Sequence, residues 1–351
     1  MKILHLCTDA FGGYGGIALF NRDLVEALAQ FPGCQEVVVV PRVIPNAVEA
    51  LPDGVTYVEA AARSQLAYVR EVLRIGRSTK FDLVIFGHIN LLPIARLVTK
   101  DPLLVTYGIE AWKPRRRSSN ALLHRCRGIV AISEVTRSRL VSWSKYKGST
   151  FILPNAIHAE RYRIRPKRLD LVSRYKLEGR RVVLTLGRME RSERYKGFDE
   201  ILEVLPDLPP DVVYVIAGGG NDALRLQQEA LARGVADRVR FTGLFIEEEK
   251  ADLYNLADVY AMPSRGEGFG FVFLEAMASG VPVLASKHDG GREAVLNGEL
   301  GALVDPSNPA EIRTAITDAF QRGERTVPER LDYFAFERFT ERVHAIVRAV
   351  S

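Results

Sequence analysis

The sequence predicts an α/β protein built from two doubly wound, parallel-sheet domains in tandem. Three observations carry this. Apolar, β-branched runs recur with helical segments between them. The rhythm breaks once, after Pro154, and then restarts. The length, 351 residues, exceeds what one ordinary core organises.

The first half opens with an apolar strand over 2–8, a glycine-rich turn, and a helical pattern over 17–30 with Leu24, Val25 and Leu28 on one face. Residues 36–40 form a continuous β-branched run, which suits a strand covered on both sides. Further strands are predicted over 82–86, 103–106 and 128–132, with Ser133 capping the helix that follows. Residues 155–180 are polar, basic and irregular and read as the linker. Beyond it, strands are expected over 182–186, 212–217, 239–241, 259–261 and 282–285. The expected domains are 1–160 and 161–333, followed by an amphipathic helix over 334–351 that packs back toward the N-terminal domain. Two Rossmann-like domains of this kind are expected to bind ligands at the carboxyl ends of their strands, across a cleft.

Composition narrows the function. Hydrophobic residues at 47% and charged residues at 26% are those of a globular protein. Three widely spaced cysteines, Cys7, Cys34 and Cys126, make neither a disulfide framework nor a zinc site, and are read as reduced thiols. The N-terminal apolar run is short, and no stretch approaches membrane-spanning length. A cytoplasmic location is therefore expected, with peripheral contact on the inner face of a membrane left open. Residues 1–150 hold 20 Lys and Arg against 12 Asp and Glu, whereas the remainder holds 28 against 31. A basic N-terminal half suits an anionic partner, either a phosphorylated acceptor or a membrane surface, and equally suits ordinary surface charge. The run Trp112-Lys113-Pro114-Arg115-Arg116-Arg117 reads the same two ways. No nucleic-acid-binding motif accompanies the basic charge.

Three segments carry chemistry. Gly12-Gly13-Tyr14-Gly15-Gly16 lies between the first strand and first helix, where glycine lets backbone approach a phosphate at a helix N-terminus. The spacing of Gly13, Gly15 and Ala18 also fits a loose dinucleotide fingerprint. The second strand, however, ends in Pro41-Arg42 rather than an acidic residue; this disfavours NAD, while Arg42 leaves NADP open. In the second domain, Arg188 closes a strand and Lys196-Gly197 follows on the next loop. Two fixed cations there suit a diphosphate and can stabilise charge developing on it during transfer. The third segment runs from Pro263 to Val283. Glu267 sits on a lean loop with Gly268 and Gly270, so the N–H groups of Gly270, Phe271 and Val272 are free for phosphate oxygens. Glu275, one turn into the helix, is placed for ribose hydroxyls, and Glu267 for the sugar. Two carboxylates in so apolar a stretch need partners.

These residues resemble the retaining glycosyltransferases of family 4, which have the GT-B fold. Glu267 to Glu275 matches that family's E-x7-E motif within an E-G-F-G-x-x-x-x-E-A-M-A-x-G-x-P-V signature. Arg188 and Lys196-Gly197 match its phosphate-clamping pair, and Gly15 and Gly16 its N-terminal glycine loop. Pro154-Asn155-Ala156 is similar to its domain junction, and Phe241-Thr242-Gly243 to its strand before the base-binding loop. The resemblance implies two Rossmann-like domains facing each other across a cleft. It implies a UDP-, GDP- or ADP-sugar donor held by the C-terminal domain, and a glycan, lipid-linked or small-molecule acceptor on the N-terminal domain. It further implies retention of anomeric configuration with no metal and no cofactor. Glu267, Arg188 and Lys196 are the implied catalytic residues. Gly15, Gly16, Gly270, Phe271, Val272 and Glu275 join the two cations as donor contacts.

One position departs from the family. Tyr107, in Val105-Thr106-Tyr107-Gly108-Ile109-Glu110, stands where the family usually carries histidine. Tyrosine can hydrogen-bond a sugar hydroxyl but does not titrate near neutral pH. His88, Tyr107 and Glu110 are the candidate contacts to acceptor or sugar. A GT-B epimerase, or a catalytically weak nucleotide-sugar-binding homologue, is the alternative reading.

Overall fold

Each strand of the first sheet is a short apolar run, and its order follows from β-α-β connections. The strands are β1 (Lys2–Cys7), β2 (Glu36–Pro41), β3 (Val55–Tyr57), β4 (Leu83–Phe86), β5 (Leu103–Thr106), β6 (Gly128–Ala131) and β7 (Ser149–Ile152). All pair in parallel in the order β3-β2-β1-β4-β5-β6-β7. The interior strand β1 sets Leu6 opposite both Val40 and Phe86, and the helices on the faces bury these runs. This is a computed structural model describing residues 1–114 and 117–351. It divides into one unit of 1–156 with 334–351 and a second of 157–333. Arg115 and Arg116, within the tryptophan-led basic run, lie outside the described residues.

The second unit repeats the plan. Its strands are β8 (Arg181–Leu186), β9 (Val212–Ala217), β10 (Val239–Phe241), β11 (Val259–Met262), β12 (Val283–Ser286) and β13 (Ala302–Val304), in the order β10-β9-β8-β11-β12-β13. In both sheets the first strand of the unit lies third from one edge and the order reverses beside it. The switch points therefore lie at the carboxyl ends of β1 and β4, and of β8 and β11, where such sheets bind ligands.

The boundary falls at Ala156 rather than residue 160. The segment after it is irregular but anchored within the second unit. Asn255 accepts from the Arg165 amide at 2.8 Å and donates to the Arg163 carbonyl at 2.9 Å. Lys167 pairs with Asp258 at 2.9 Å. The terminal helix, Phe336–Val350, belongs to the first unit. Phe339 is fully buried, edge-on to Phe20 at 5.5 Å, and Arg127 Nη1 donates to the Val350 carbonyl at 2.7 Å. The predicted strands match the observed ones to within a residue or so. The expected pattern lacked β3, β7 and β13, which are edge strands of three or four residues, mostly half-buried or exposed. Their sequences carry little apolar signal because only one side is covered.

Candidate active site

The second unit builds its site from the loops after β8, β11 and β12. The β8 and β9 ends are held by backbone contacts: the Met189 amide donates to the Gly219 carbonyl at 2.8 Å, and the Asp222 amide to Met189 at 2.8 Å. A Cβ on Gly218 would lie 2.2 Å from the Gly187 carbonyl oxygen, so only glycine permits this approach. Lys196 lies back over Gly187, where an added Cβ would sit 3.7 Å from Nζ. Arg188 and Lys196 thus converge at one strand end. Between them stands Glu193. Arg188 Nη2 donates to its Oε1 at 2.5 Å, and Lys196 Nζ lies 2.6 Å from its Oε2.

The loop after β11 is braced by a residue that motif reasoning passed over. Asp289 is fully buried. It accepts from the Ser264 hydroxyl at 2.7 Å, the Glu267 amide at 2.8 Å and the Gly291 amide at 3.0 Å. The Gly290 amide returns a bond to the Glu267 carbonyl at 2.9 Å. Burial pushes the Asp289 carboxyl up to about 6, against the pull of these donors. The signal available in sequence was Asp289-Gly290-Gly291 on the loop after an apolar strand. A Cβ at Gly290 would lie 1.9 Å from the Gly268 carbonyl oxygen, so the pair of loops requires glycine there.

Two further contacts fasten this loop to the one carrying Lys196. The Arg265 amide donates to the Tyr195 carbonyl at 2.7 Å, and a Cβ on Gly197 would meet the Pro263 carbonyl oxygen at 2.8 Å. Glu267 consequently feels both charged neighbours. Burial raises its pKa, Lys196 pulls it back down, and Glu193 pushes it up. Its Oε1 accepts from the Gly268 amide at 3.1 Å. Gly270, at φ 95°, starts the helix Phe271–Ala278. Phe271 and Val272 are half-buried while the rest of the helix is buried, which leaves the first turn as its accessible part.

Glu275 differs from the sequence expectation. It is buried and already held inside the unit. Oε1 accepts from Lys250 Nζ at 2.6 Å and from the Tyr162 hydroxyl at 2.9 Å, and Oε2 accepts from the Tyr254 hydroxyl at 2.7 Å. A carboxylate has about four acceptor positions; one remains, on Oε2, so a ribose hydroxyl can be added only there. Lys250 and Tyr254 share a face of the helix Lys250–Leu256 by their i, i+4 spacing, but the sequence does not show that this face meets Glu275.

In the first unit the glycine loop divides its labour. Gly13 is sterically required, since a Cβ there would lie 2.7 Å from both the Ala10 carbonyl oxygen and Ala18 Cβ. Gly15 takes φ 87° with open space around it, and Gly16 begins the helix Gly16–Ala29. The backbone there is accessible to an anion. The three other candidates are less available than expected. Tyr107 is buried and its hydroxyl donates to Asn21 Oδ1 at 2.9 Å, beside His5 Nε2 on the same oxygen. Tyr107 is therefore corrected from a sugar contact to part of a buried His5–Asn21–Tyr107 network, which burial and apolar packing demand be internally bonded. Burial also lowers the His5 pKa to about 4, so this imidazole is neutral. His88 Nδ1 accepts from the Asn90 amide at 3.0 Å and caps a short turn. Glu110 accepts from the Tyr107 amide at 2.6 Å. Among the described residues no group of three His, Cys, Asp or Glu is arranged to hold a metal ion, and no helix is long and apolar enough to cross a membrane.

Comparison with known proteins adds to this geometry. Residues 170–337 match the family model described as glycosyl transferases group 1, and residues 14–161 match glycosyltransferase family 4. A GDP-mannose-dependent α-(1-6)-phosphatidylinositol monomannoside mannosyltransferase of Mycolicibacterium smegmatis is 37% identical over 201 residues, covering 54% of this chain and 52% of the relative. Its Mycobacterium tuberculosis counterpart is 35% identical over 210 residues, covering 57% and 54%. The chain thus spans about half the length of the curated relatives it matches. Among solved structures, sucrose-phosphate synthase of Thermosynechococcus elongatus superposes with a TM-score of 0.80 at 20% identity, covering 100% of this chain and 99% of that one. Anabaena HepE in complex with UDP and glucose gives 0.79 at 20% identity, covering 99% and 100%. At this identity the likeness shows the fold, which is GT-B.

Proposed function

Because this chain belongs to glycosyltransferase family 4, with the group 1 domain in its second unit, we propose that it moves a hexose from a nucleotide-diphosphate sugar to a hydroxyl acceptor. The transfer retains anomeric configuration and uses no metal ion. One observation carries this reading: Arg188 and Lys196 converge at the β8 end, and the buried Glu267 carboxyl feels the Lys196 charge, which partly offsets the rise that burial imposes on it. Cations fixed at that point supply the charge that a metal supplies elsewhere, and they stabilise the departing diphosphate. The first turn of the helix Phe271–Ala278 adds backbone N–H groups for the same phosphates. Glu267 meets the sugar. On a front-face course the leaving phosphate takes the acceptor proton, so neither Glu267 nor Glu275 forms a covalent intermediate. Ribose binds Glu275 through its remaining acceptor position.

GDP-mannose is the first donor to test, since it is named for relatives at 35–37% identity, with UDP- and ADP-sugars as comparators. A lipid-linked acceptor with a phosphorylated headgroup suits the excess of basic residues in 1–150, which also suits peripheral contact with an anionic membrane. A thermal-shift series with GDP, UDP and ADP tests the donor. Ligand at a hundred times its dissociation constant stabilises by about 2.7 kcal/mol. Transfer is then followed by the anomeric proton of the product, which retention leaves in the donor's α configuration. Arg188→Ala and Lys196→Ala should each lower kcat by about 10²–10³-fold. Failure of all three nucleotides to bind overturns the proposal.

A further inference from the structure

Glu193 is a carboxylate set between the two cations that the transfer reading assigns to phosphate. Its Oε1 takes a hydrogen bond from Arg188 Nη2 at 2.5 Å, and its Oε2 lies 2.6 Å from Lys196 Nζ. The second contact is one of charge rather than direction: Oε2 is buried and has no hydrogen bond of good geometry. Lys196 and Glu193 are 13% and 16% exposed, so this pair is weakly screened, whereas Arg188 at 61% is open to solvent. Of the other cations of this loop, the Arg194 guanidinium approaches Asp199 at 4.0 Å, and the charges of Arg194 and Arg191 both act on Asp222.

A carboxylate and a phosphate compete for the same N–H groups with similar geometry. We propose that Glu193 is an internal anion that a donor's diphosphate must displace from Arg188 and Lys196, so that it sets donor affinity and aids product release by returning. This inference rests on the donor reading of the same site. It assigns Glu193 a competing role. A purely scaffolding role predicts the opposite response, because removing the carboxylate would then let both cations drift from the clamp.

The test is calorimetric titration of wild type, Glu193→Gln and Glu193→Asp with GDP, inorganic pyrophosphate and guanosine. Removing the competing charge should tighten GDP and pyrophosphate by roughly five- to tenfold, the scale of a partly screened ion pair. Guanosine, which lacks phosphate, should be unaffected. Glu193→Asp, with a shorter reach, should fall between. Unchanged or weakened pyrophosphate binding in Glu193→Gln overturns the inference. The arms also separate the two readings. Pyrophosphate tightened by Glu193→Gln, with none of GDP, UDP and ADP bound by any form, removes the donor reading and leaves Glu193 as a competing anion. GDP bound equally by all three forms keeps the donor and removes the competition. Thermal melting of each variant excludes misfolding as the source of a loss.

Discussion

Replacing Asp289 with asparagine should change how stability depends on pH. In the folded chain the carboxyl titrates at about 6 against an ordinary 3.8, because burial disfavours the charged form more than its three donors favour it. A group whose folded pKa is raised contributes stability that is present below its unfolded pKa and is lost as pH rises through the folded one. The window is therefore about pH 4 to 6. The shift of roughly two units corresponds to about 3 kcal/mol, of which about 2 kcal/mol falls between pH 4.5 and 7.5. The substituted amide does not titrate. It also turns an NH₂ group toward one of the donors from Ser264, Glu267 or Gly291, leaving that donor unpaired at about 1–3 kcal/mol at every pH. Asp289→Asn should thus be clearly less stable than wild type at pH 4.5 and approach it at pH 7.5. Urea unfolding followed by far-ultraviolet circular dichroism measures this. Fluorescence is the wrong probe, since the two tryptophans, Trp112 and Trp143, both lie in the first unit. Parallel profiles for the two proteins across this range would refute the argument that burial dominates the Asp289 environment.

Lys250→Met should strand the buried Glu275 carboxylate and cost about 3–5 kcal/mol, measured by chemical denaturation, whereas Lys250→Met with Glu275→Leu should cost less because no charge is left uncompensated. Gly270→Ala should destabilise by more than about 1 kcal/mol, because φ is 95° and the new Cβ would lie 2.7 Å from the Phe273 ring; a melting temperature equal to wild type contradicts that geometry.

Much of this was legible in the chain. Runs such as Val212–Ala217 and Leu103–Val105 are apolar, as strands buried on both faces tend to be, so the interior strands and the double repeat could be read directly. Arg188, Lys196 and Glu267 fall on the segments that follow β8 and β11, where parallel sheets present their loops, so their placement could be read from the chain. Local order alone brings Arg188 and Lys196 together, eight residues apart. Other features needed distant parts of the chain. Asp289 braces Glu267 across 22 residues, and Tyr162 reaches Glu275 across 113. Nothing local to Asp289 or Tyr162 records the partner it will meet; for Asp289 that is decided by the strand order that brings β11 beside β12. Tyr107 shows the same limit. Its type and place were readable, but Asn21, 86 residues away, takes its hydroxyl, and only packing around the glycine loop could determine that the ring turns inward.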